Sequence, residues 1–308
     1  MAPSLSGRIS LVTGGSRGIG RGIALQLGEA GATVYITGRK AADLQKTCDE
    51  VKARGAKEAI AVVMDHAKDD EVEALFERIK KEQGGQLDIC VNNAYAGVSA
   101  ITESIGKKFY ETPAVGIWDS INGVGLRNHY LCTVFASRMM VKRKSGLIIN
   151  VSSPGGLRYL FNVAYGVGKA ACDRMAADCA VELKSDGVTM LSLWPGPVAT
   201  EHVQENVLQG NDEDKKRAFQ DAETVEMAGR AIAHLAADRE VMRKTGRVLM
   251  TFDLAQEYGF TDVDGEIHGD IRCIKKRLIG AGYTTTAMLV PEFIRVPLSL
   301  LHYASYKF

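Results

Sequence analysis

A chain of 308 residues with 46% apolar side chains holds enough core for one large α/β domain or two small ones. Lys and Arg number 38 against 37 Asp and Glu, a net charge of +1, with no basic run of five or more, which argues against a nucleic-acid footprint. The six cysteines form no Cys-x-x-Cys pair and the six histidines are scattered, so no metal site or disulfide framework is expected and the thiols read as reduced and intracellular.

Residues 8–13, RISLVT, read as a short buried strand, followed at once by the Gly-rich TGGSRGIG of 13–20. A helix follows, with Ile19, Ile23, Leu27 and Ala30 on one face and Gly31 as its stop. Strands are expected at 32–37, 59–65 and 87–94, separated by a polar helix near 41–54 and an amphipathic one at 69–82. One long helix is expected over 115–141, then a strand at LIINVSS, a helix over 164–187 closed by Gly187, and a strand over 188–196 broken by Pro195. A polar stretch, 201–224, precedes an Ala-rich helix at 225–237 and a last strand at 246–251. Alternation of helices with apolar, non-alternating strands predicts a doubly wound parallel sheet, Rossmann-like, covered on both faces. The division expected is one domain over 1–255 and a C-terminal extension over 256–308.

Strand, Gly-rich turn and helix in that order put free backbone N–H groups at a helix N-terminus, a ready anion site. Gly14, Gly18 and Gly20 let the backbone approach a pyrophosphate closely. The second strand ends in Thr37-Gly38-Arg39 with no acid to hold a ribose hydroxyl, so Arg39, with Arg17 from the turn, suits a 2′-phosphate. Asp65 ends the third strand and is placed to bond an adenine amino group; Asn92 ends the fourth, at the mouth of the crevice. Tyr165 and Lys169 lie one helical turn apart on one face, where an ammonium favours the phenolate and suits the tyrosine for acid–base work. Ser152 and Ser153, at a strand end, are placed to hold a substrate oxygen.

TGGSRGIG, NNAYAG, the Ser-Ser turn, Tyr165-x-x-x-Lys169 and WPGPVAT, in this order, resemble the short-chain dehydrogenase/reductase family over roughly residues 7–250. The resemblance implies an NADPH-dependent carbonyl reductase or alcohol dehydrogenase, with NADPH preferred over NADH and no metal. Tyr165 would be the general acid in reduction and base in oxidation, Lys169 would tune it and hold the nicotinamide ribose, and Ser153, with Ser152 as alternative, would polarise the carbonyl. Ser16 and Ile19 in the turn, together with Pro195, Val198 and Thr200, would also hold the cofactor. Against this stands a nucleotide-binding scaffold that has lost turnover. The helix carrying Ala170, Ala171, Ala176 and Ala180 would pack against its copy in a homodimer or homotetramer.

Three departures from the family pattern stand out. The usual Asn-Asn-Ala-Gly is stretched to Asn92-Asn93-Ala94-Tyr95-Ala96-Gly97, which brings Tyr95 into the site. The Ser153–Tyr165 interval is 12, one shorter than common. The family's catalytic asparagine aligns with Gly125, so Asn122, Asn128 or an extra water is expected to carry the proton relay. Tyr95, Tyr159, Phe161, Asn162, Trp194 and the 201–224 segment are expected to face a lipophilic ketone or aldehyde of steroid, retinoid or xenobiotic type. The N-terminus has no apolar signal region and no run of 18 apolar residues occurs, so secretion and a spanning helix are not expected. The tail from Thr284 is apolar but broken by Pro291 and Pro297. It could lie on a membrane surface, at the endoplasmic reticulum, through Leu298, Leu300, Leu301 and Tyr303, or close over the pocket or a partner subunit.

Overall fold

The computed structural model describes residues 3–209 and 213–305. Seven parallel strands form one sheet in the order β3-β2-β1-β4-β5-β6-β7: β1 Ile9–Val12, β2 Thr33–Gly38, β3 Glu58–Val63, β4 Ile89–Asn92, β5 Gly146–Val151, β6 Val188–Trp194 and β7 Val248–Met250. Parallel strands need a covering crossover, and the chain supplies helices α1 Gly18–Glu29, α2 Ala41–Ala53 and α3 Asp69–Glu82 in the first half. Two cores follow. One face packs Ile23, Leu27, Val34, Ile149, Leu191 and Ile232; the other packs Leu11, Tyr35, Phe76, Met140, Ile148 and Met190. Burial on both faces is why every position of β1, β4 and β6 is buried, with no alternation of buried and exposed residues.

Chain order reverses between β1 and β4, whose register pairs Leu11 with Cys90 and Val12 with Val91. Such a switch point opens a crevice at the carboxyl ends of the strands. Beyond β4 the chain forms α4 Val98–Ser104 and α5 Ala114–Asn122, then a one-turn π segment at Gly123–Arg127, then α6 Asn128–Arg143. The single helix expected over 115–141 is therefore two. Val124 (φ −114°, ψ 97°) and Gly125 (φ 149°, ψ −23°) leave helical space, and only glycine adopts the second conformation without strain. Helix α7, Val163–Leu183, follows β5.

After β6 come α8 Glu201–Val203, α9 Glu213–Ala218 and α10 Met227–Ala237; after β7 come α11 Thr251–Tyr258, α12 Ile274–Gly280, α13 Thr284–Met288 and α14 Leu298–Ser305. The extension is pinned to the body by side chains. Arg272 pairs with Asp253, Lys276 donates to Asp221 at 2.7 Å, and Arg295, held within the extension by the buried Asp270 at 2.6 Å, lays its guanidinium 4.9 Å over the Phe252 ring. Backbone bonds Ile274 N–H to Ile294 C=O (3.0 Å) and Val296 N–H to Arg272 C=O (2.8 Å) tie its two ends together. No helix among the described residues is long and apolar enough to cross a membrane.

Candidate active site

The Gly-rich turn leaves β1 at the switch point. The Gly14 N–H donates to Thr37 Oγ1 at 3.1 Å, and that hydroxyl also bonds His66 Nε2 at 2.7 Å. His66 is buried, which pushes its pKa down to about 4, so a neutral ring supports the turn from below. The turn lies against Ala94 so closely that a Cβ on Gly14 would come within 2.8 Å of the Ala94 Cα. The N–H of Gly18, at the start of α1, donates to Glu201 Oε2 at 2.9 Å. A carboxylate there occupies a donor that a pyrophosphate oxygen would use, and it marks the turn as fitted to an anion.

Arg17 and Arg39 are exposed. Arg39 and Asp65 line one cavity of about 480 Å³ with Met64, Glu71 and Arg78, beside the β3 edge. Asn92 differs from the expectation. Its amide turns inward, is fully buried, and donates to Thr133 Oγ1 and Asn150 Oδ1 at 2.9 Å each, because alternate residues of a strand face opposite sides. Its neighbour Asn93 does the work at the turn, donating to the carbonyls of Thr13 (2.9 Å) and Gly14 (3.1 Å).

Asn162 caps α7, accepting from the Tyr165 N–H at 2.9 Å, and so fixes the tyrosine in the first turn of the helix. The Tyr165 hydroxyl meets Ser153 Oγ at 2.6 Å, and Ser153 Oγ also accepts from Gly155 N–H at 3.0 Å. Ser152 lies elsewhere, buried and donating to the Lys169 carbonyl at 3.3 Å. Lys169 is buried; its Nζ donates to the Val151 carbonyl at 3.0 Å and lies 5.9 Å from the Tyr165 ring centre. Serine, tyrosine and lysine therefore converge where β5 ends, beside the switch point.

The loop after β6 closes the other side. Pro195 and Val198 are buried, the Thr200 hydroxyl accepts from Val203 N–H at 3.3 Å as the α8 cap, and Ile19 is packed partly buried at the start of α1. Ser16 is half-buried and its Cβ would be a near neighbour, at 3.3 Å, of a side chain at Gly38. An apolar cluster of Ile101, Ile117, Ile121, Leu160 and Ala164 surrounds the rings of Tyr95 and Tyr165. Phe161 stacks edge-on against Tyr165 at 5.1 Å and holds a left-handed φ of 62°, a conformation costly for a bulky residue.

The short chain dehydrogenase family model matches residues 8–210. The chain belongs to the short-chain dehydrogenase/reductase family. It is 47% identical to Dehydrogenase/reductase SDR family member 1 of Homo sapiens, over 100% of both chains, and 48% identical to that of Mus musculus, over 96% of both. A Mycobacterium marinum short-chain type dehydrogenase/reductase superposes with a TM-score of 0.68 at 26% identity, covering 80% of this chain and 94% of that one. A Beutenbergia cavernae structure assigned as an NAD(P)-dependent gluconate 5-dehydrogenase, with NADP bound at low occupancy, gives 0.70 at 27%, covering 80% and 96%. The chain is accordingly an NAD(P)-dependent oxidoreductase.

Two residues expected to face substrate do not. Asn162 is spent on its cap and on Ser104 Oγ at 2.9 Å, and Trp194 donates its indole N–H to Asp173 at 3.1–3.2 Å beneath the serine turn. Burial raises the Asp173 pKa to about 6, against the lowering by Ser152, Trp194 and Ser192. Asn122 donates to the Ala164 carbonyl at 3.2 Å, tying α5 to α7, and Asn128 Oδ1 accepts from Gly125 N–H at 2.6 Å across the helix break. The reading of the sequence missed two buried groups and a partly buried one. His129 bonds the Ala94 carbonyl at 3.1 Å and is held neutral, near 3, by burial and then by Lys169. Asp173 underlies the serine turn. Glu223 accepts from Gly196 N–H at 2.8 Å and from the Thr251 hydroxyl, anchoring the Pro195 loop. Sequence spacing carried one usable signal among these: Asp173 stands one turn beyond Lys169 on the same face.

Proposed function

We propose that the chain is an NADPH-dependent carbonyl reductase and alcohol dehydrogenase acting on a lipophilic ketone or aldehyde of steroid, retinoid or xenobiotic type. The observation that carries this is the 2.6 Å contact between Ser153 Oγ and the Tyr165 hydroxyl, with Lys169 buried one turn on. Gly14, Ser16, Arg17, Gly18, Ile19 and Gly20 would hold the dinucleotide, with Pro195, Val198 and Thr200 at its nicotinamide end. Bound there, it supplies or accepts the hydride. Ser153 bonds the substrate oxygen and fixes it at the phenol. Tyr165 gives its proton to that oxygen in reduction and removes it in oxidation. The Lys169 ammonium favours the charged phenol oxygen and is itself held by the Val151 carbonyl. Arg17 and Arg39 would receive a 2′-phosphate, and Asp65 beside Arg39 would meet the adenosine. The apolar cluster and Phe161 support a lipophilic substrate.

Residues 1–255 are read as the catalytic domain and 256–308 as an extension that walls the substrate entrance, because α12 packs on α9 in the segment after β6. Exposed Leu298, Leu300 and Tyr303 on that extension also support peripheral contact with a membrane surface. The exposed Val167 and Val181 of α7 support assembly into a homodimer or homotetramer.

The test is NADPH oxidation with a panel of ketosteroids, retinaldehyde, fatty aldehydes and aromatic quinones, using wild type and Tyr165→Phe. Turnover by wild type and its loss in the variant, with NADPH binding retained, is expected; a Tyr165→Phe enzyme of full activity refutes the assignment. Arg39→Asp is expected to weaken NADPH binding about tenfold or more, from the loss of a charge-assisted bond, and to leave NADH binding nearly unchanged.

A further inference from the structure

Two departures in the sequence, the stretched Asn92–Gly97 loop and the glycine at 125, meet at one point in the structure. A Cβ built on Gly125 would lie 2.5 Å from Tyr95 Cδ2 and 2.8 Å from Cε2. A Cβ on Gly97 would lie 2.5 Å from the Tyr95 hydroxyl oxygen. The Tyr95 ring is thus seated between two glycines, and no side chain at 125 can coexist with it in this position. The backbone reinforces the fit: Ala96 N–H donates to the Val124 carbonyl at 3.0 Å, joining the loop to the helix break.

The seat aims the ring at the catalytic group. The Lys169 Nζ lies 5.1 Å from the Tyr95 ring centre, closer than its 5.9 Å to the Tyr165 ring, and Tyr95 meets Tyr165 edge-on at 6.3 Å. An ammonium within about 6 Å of an aromatic face is held electrostatically, and more strongly where water is excluded. The Tyr95 hydroxyl is buried with no hydrogen-bond partner among the described residues, and burial followed by the neighbouring Tyr165 holds it well above the usual phenol range. It stays protonated and is no acid–base group itself. Of the two asparagines nearest the break, Asn122 donates to the Ala164 carbonyl and Asn128 Oδ1 accepts the Gly125 N–H, while the buried Asn128 Nδ2 has no partner among the described residues.

We infer that Tyr95 is a positioning residue for Lys169, its ring face clamping the ammonium beside Tyr165 in the space that a side chain at 125 would otherwise fill. The ammonium then has two fixed neighbours, the Val151 carbonyl and the Tyr95 ring, and sits where it favours the Tyr165 phenolate. This inference rests on the Tyr165–Lys169 reading above. It goes beyond that reading in assigning the duty to an inserted aromatic ring.

The experiment compares Tyr95→Phe, Tyr95→Leu and Tyr95→Met in NADPH-dependent reduction of the best carbonyl of the panel, and in the reverse oxidation across pH. Tyr95→Phe keeps the ring and is expected to stay near wild type in rate and profile. Tyr95→Leu and Tyr95→Met fill the space without a ring; each is expected to lose kcat about tenfold and to move the oxidation limb to higher pH by roughly one unit. Melting curves accompany each variant, and the flexible methionine serves should the leucine not fold. Full rates and an unmoved limb in both ringless variants overturn the proposal. So does a lost rate with an unmoved limb, which makes Tyr95 a wall only, or a Tyr95→Phe as damaged as Tyr95→Leu, which puts the duty on the hydroxyl. A fully active Tyr165→Phe instead overturns the underlying assignment, and the two failures are separately visible.

Discussion

Glu223 is the residue whose chemistry the sequence concealed most fully. It sits in a polar stretch without period, yet its side chain is buried between Gly196, Thr251 and Gly269. One carboxyl oxygen, Oε2, has no partner among the described residues, and Asp221 and Asp262 lie near enough to add repulsion. Burial raises its pKa from 4.5 to about 8, so at neutral pH the folded state holds a protonated acid. The sign follows. Between about pH 4.5 and 8 the folded chain binds a proton that the unfolded chain releases, so this group's contribution to stability falls as pH rises, by up to about 1.4 kcal/mol per unit. Glu223→Gln keeps the acceptor for Gly196 N–H and the Thr251 hydroxyl and cannot ionise. Urea unfolding at several pH values is expected to show the variant gaining on wild type as pH rises through that window; a constant difference would mean that Glu223 is already ionised in the folded state. The Tyr165–Lys169 pair was legible from spacing alone because a helix fixes the geometry of residues four apart. Glu223 was not, because its burial is completed by distant residues, Thr251 and, from the extension, Gly269, nearly fifty residues on.

At the scale of elements, the strands and most helices follow from apolar runs and Gly stops, since a parallel sheet covered on both faces leaves a pattern that needs no long-range knowledge. The one long helix expected over 115–141 failed because apolar periodicity continues across Val124 and Gly125 while the backbone does not. A mid-helix glycine was the available sign, and its partner, Tyr95, lies some thirty residues upstream. The loop after β6 yields a prediction of its own. Glu201, opening α8, accepts the Gly18 N–H at 2.9 Å and so competes with any phosphate for the start of α1. A negative side chain there also repels a pyrophosphate. Glu201→Gln is expected to tighten NADPH binding several-fold, corresponding to about 0.5–1.5 kcal/mol, with the gain shrinking as salt is added. Titration calorimetry at two ionic strengths measures it; equal or weaker binding by the variant would show that the carboxylate leaves the donor without cost when the dinucleotide arrives.

Across the whole molecule, the extension is the part least foreseeable from residues, because its fold is set by contacts to distant elements. Its apolar run left a membrane surface, the pocket or a partner subunit as its expected contact, and Met288, Leu289, Phe293 and Tyr303 are largely exposed. Arg295 of the same segment, though, is turned inward, while Glu292 stays largely exposed. Arg295 reaches Asp270, whose side chain is only 3% exposed against 28% for the arginine, and covers the Phe252 ring on α11. Removing the guanidinium leaves a buried carboxylate without its cation. Arg295→Ala is therefore expected to destabilise the protein by roughly 1–3 kcal/mol, less than the 3–5 of a wholly buried pair because the arginine keeps some water. In a protein of this size that lowers Tm by about 2–10 °C. Truncation after Gly282 removes the same contact and the Val296–Arg272 backbone bond, and is expected to lower Tm at least as far. Vesicle sedimentation with the two variants separates the tail's two duties: Arg295→Ala keeps the exposed leucines and is expected to retain whatever vesicle binding wild type has, whereas the truncation loses it. A truncated protein that melts with wild type would show that the extension is merely attached to the fold, and its pairing with Asp270 contributes nothing to it.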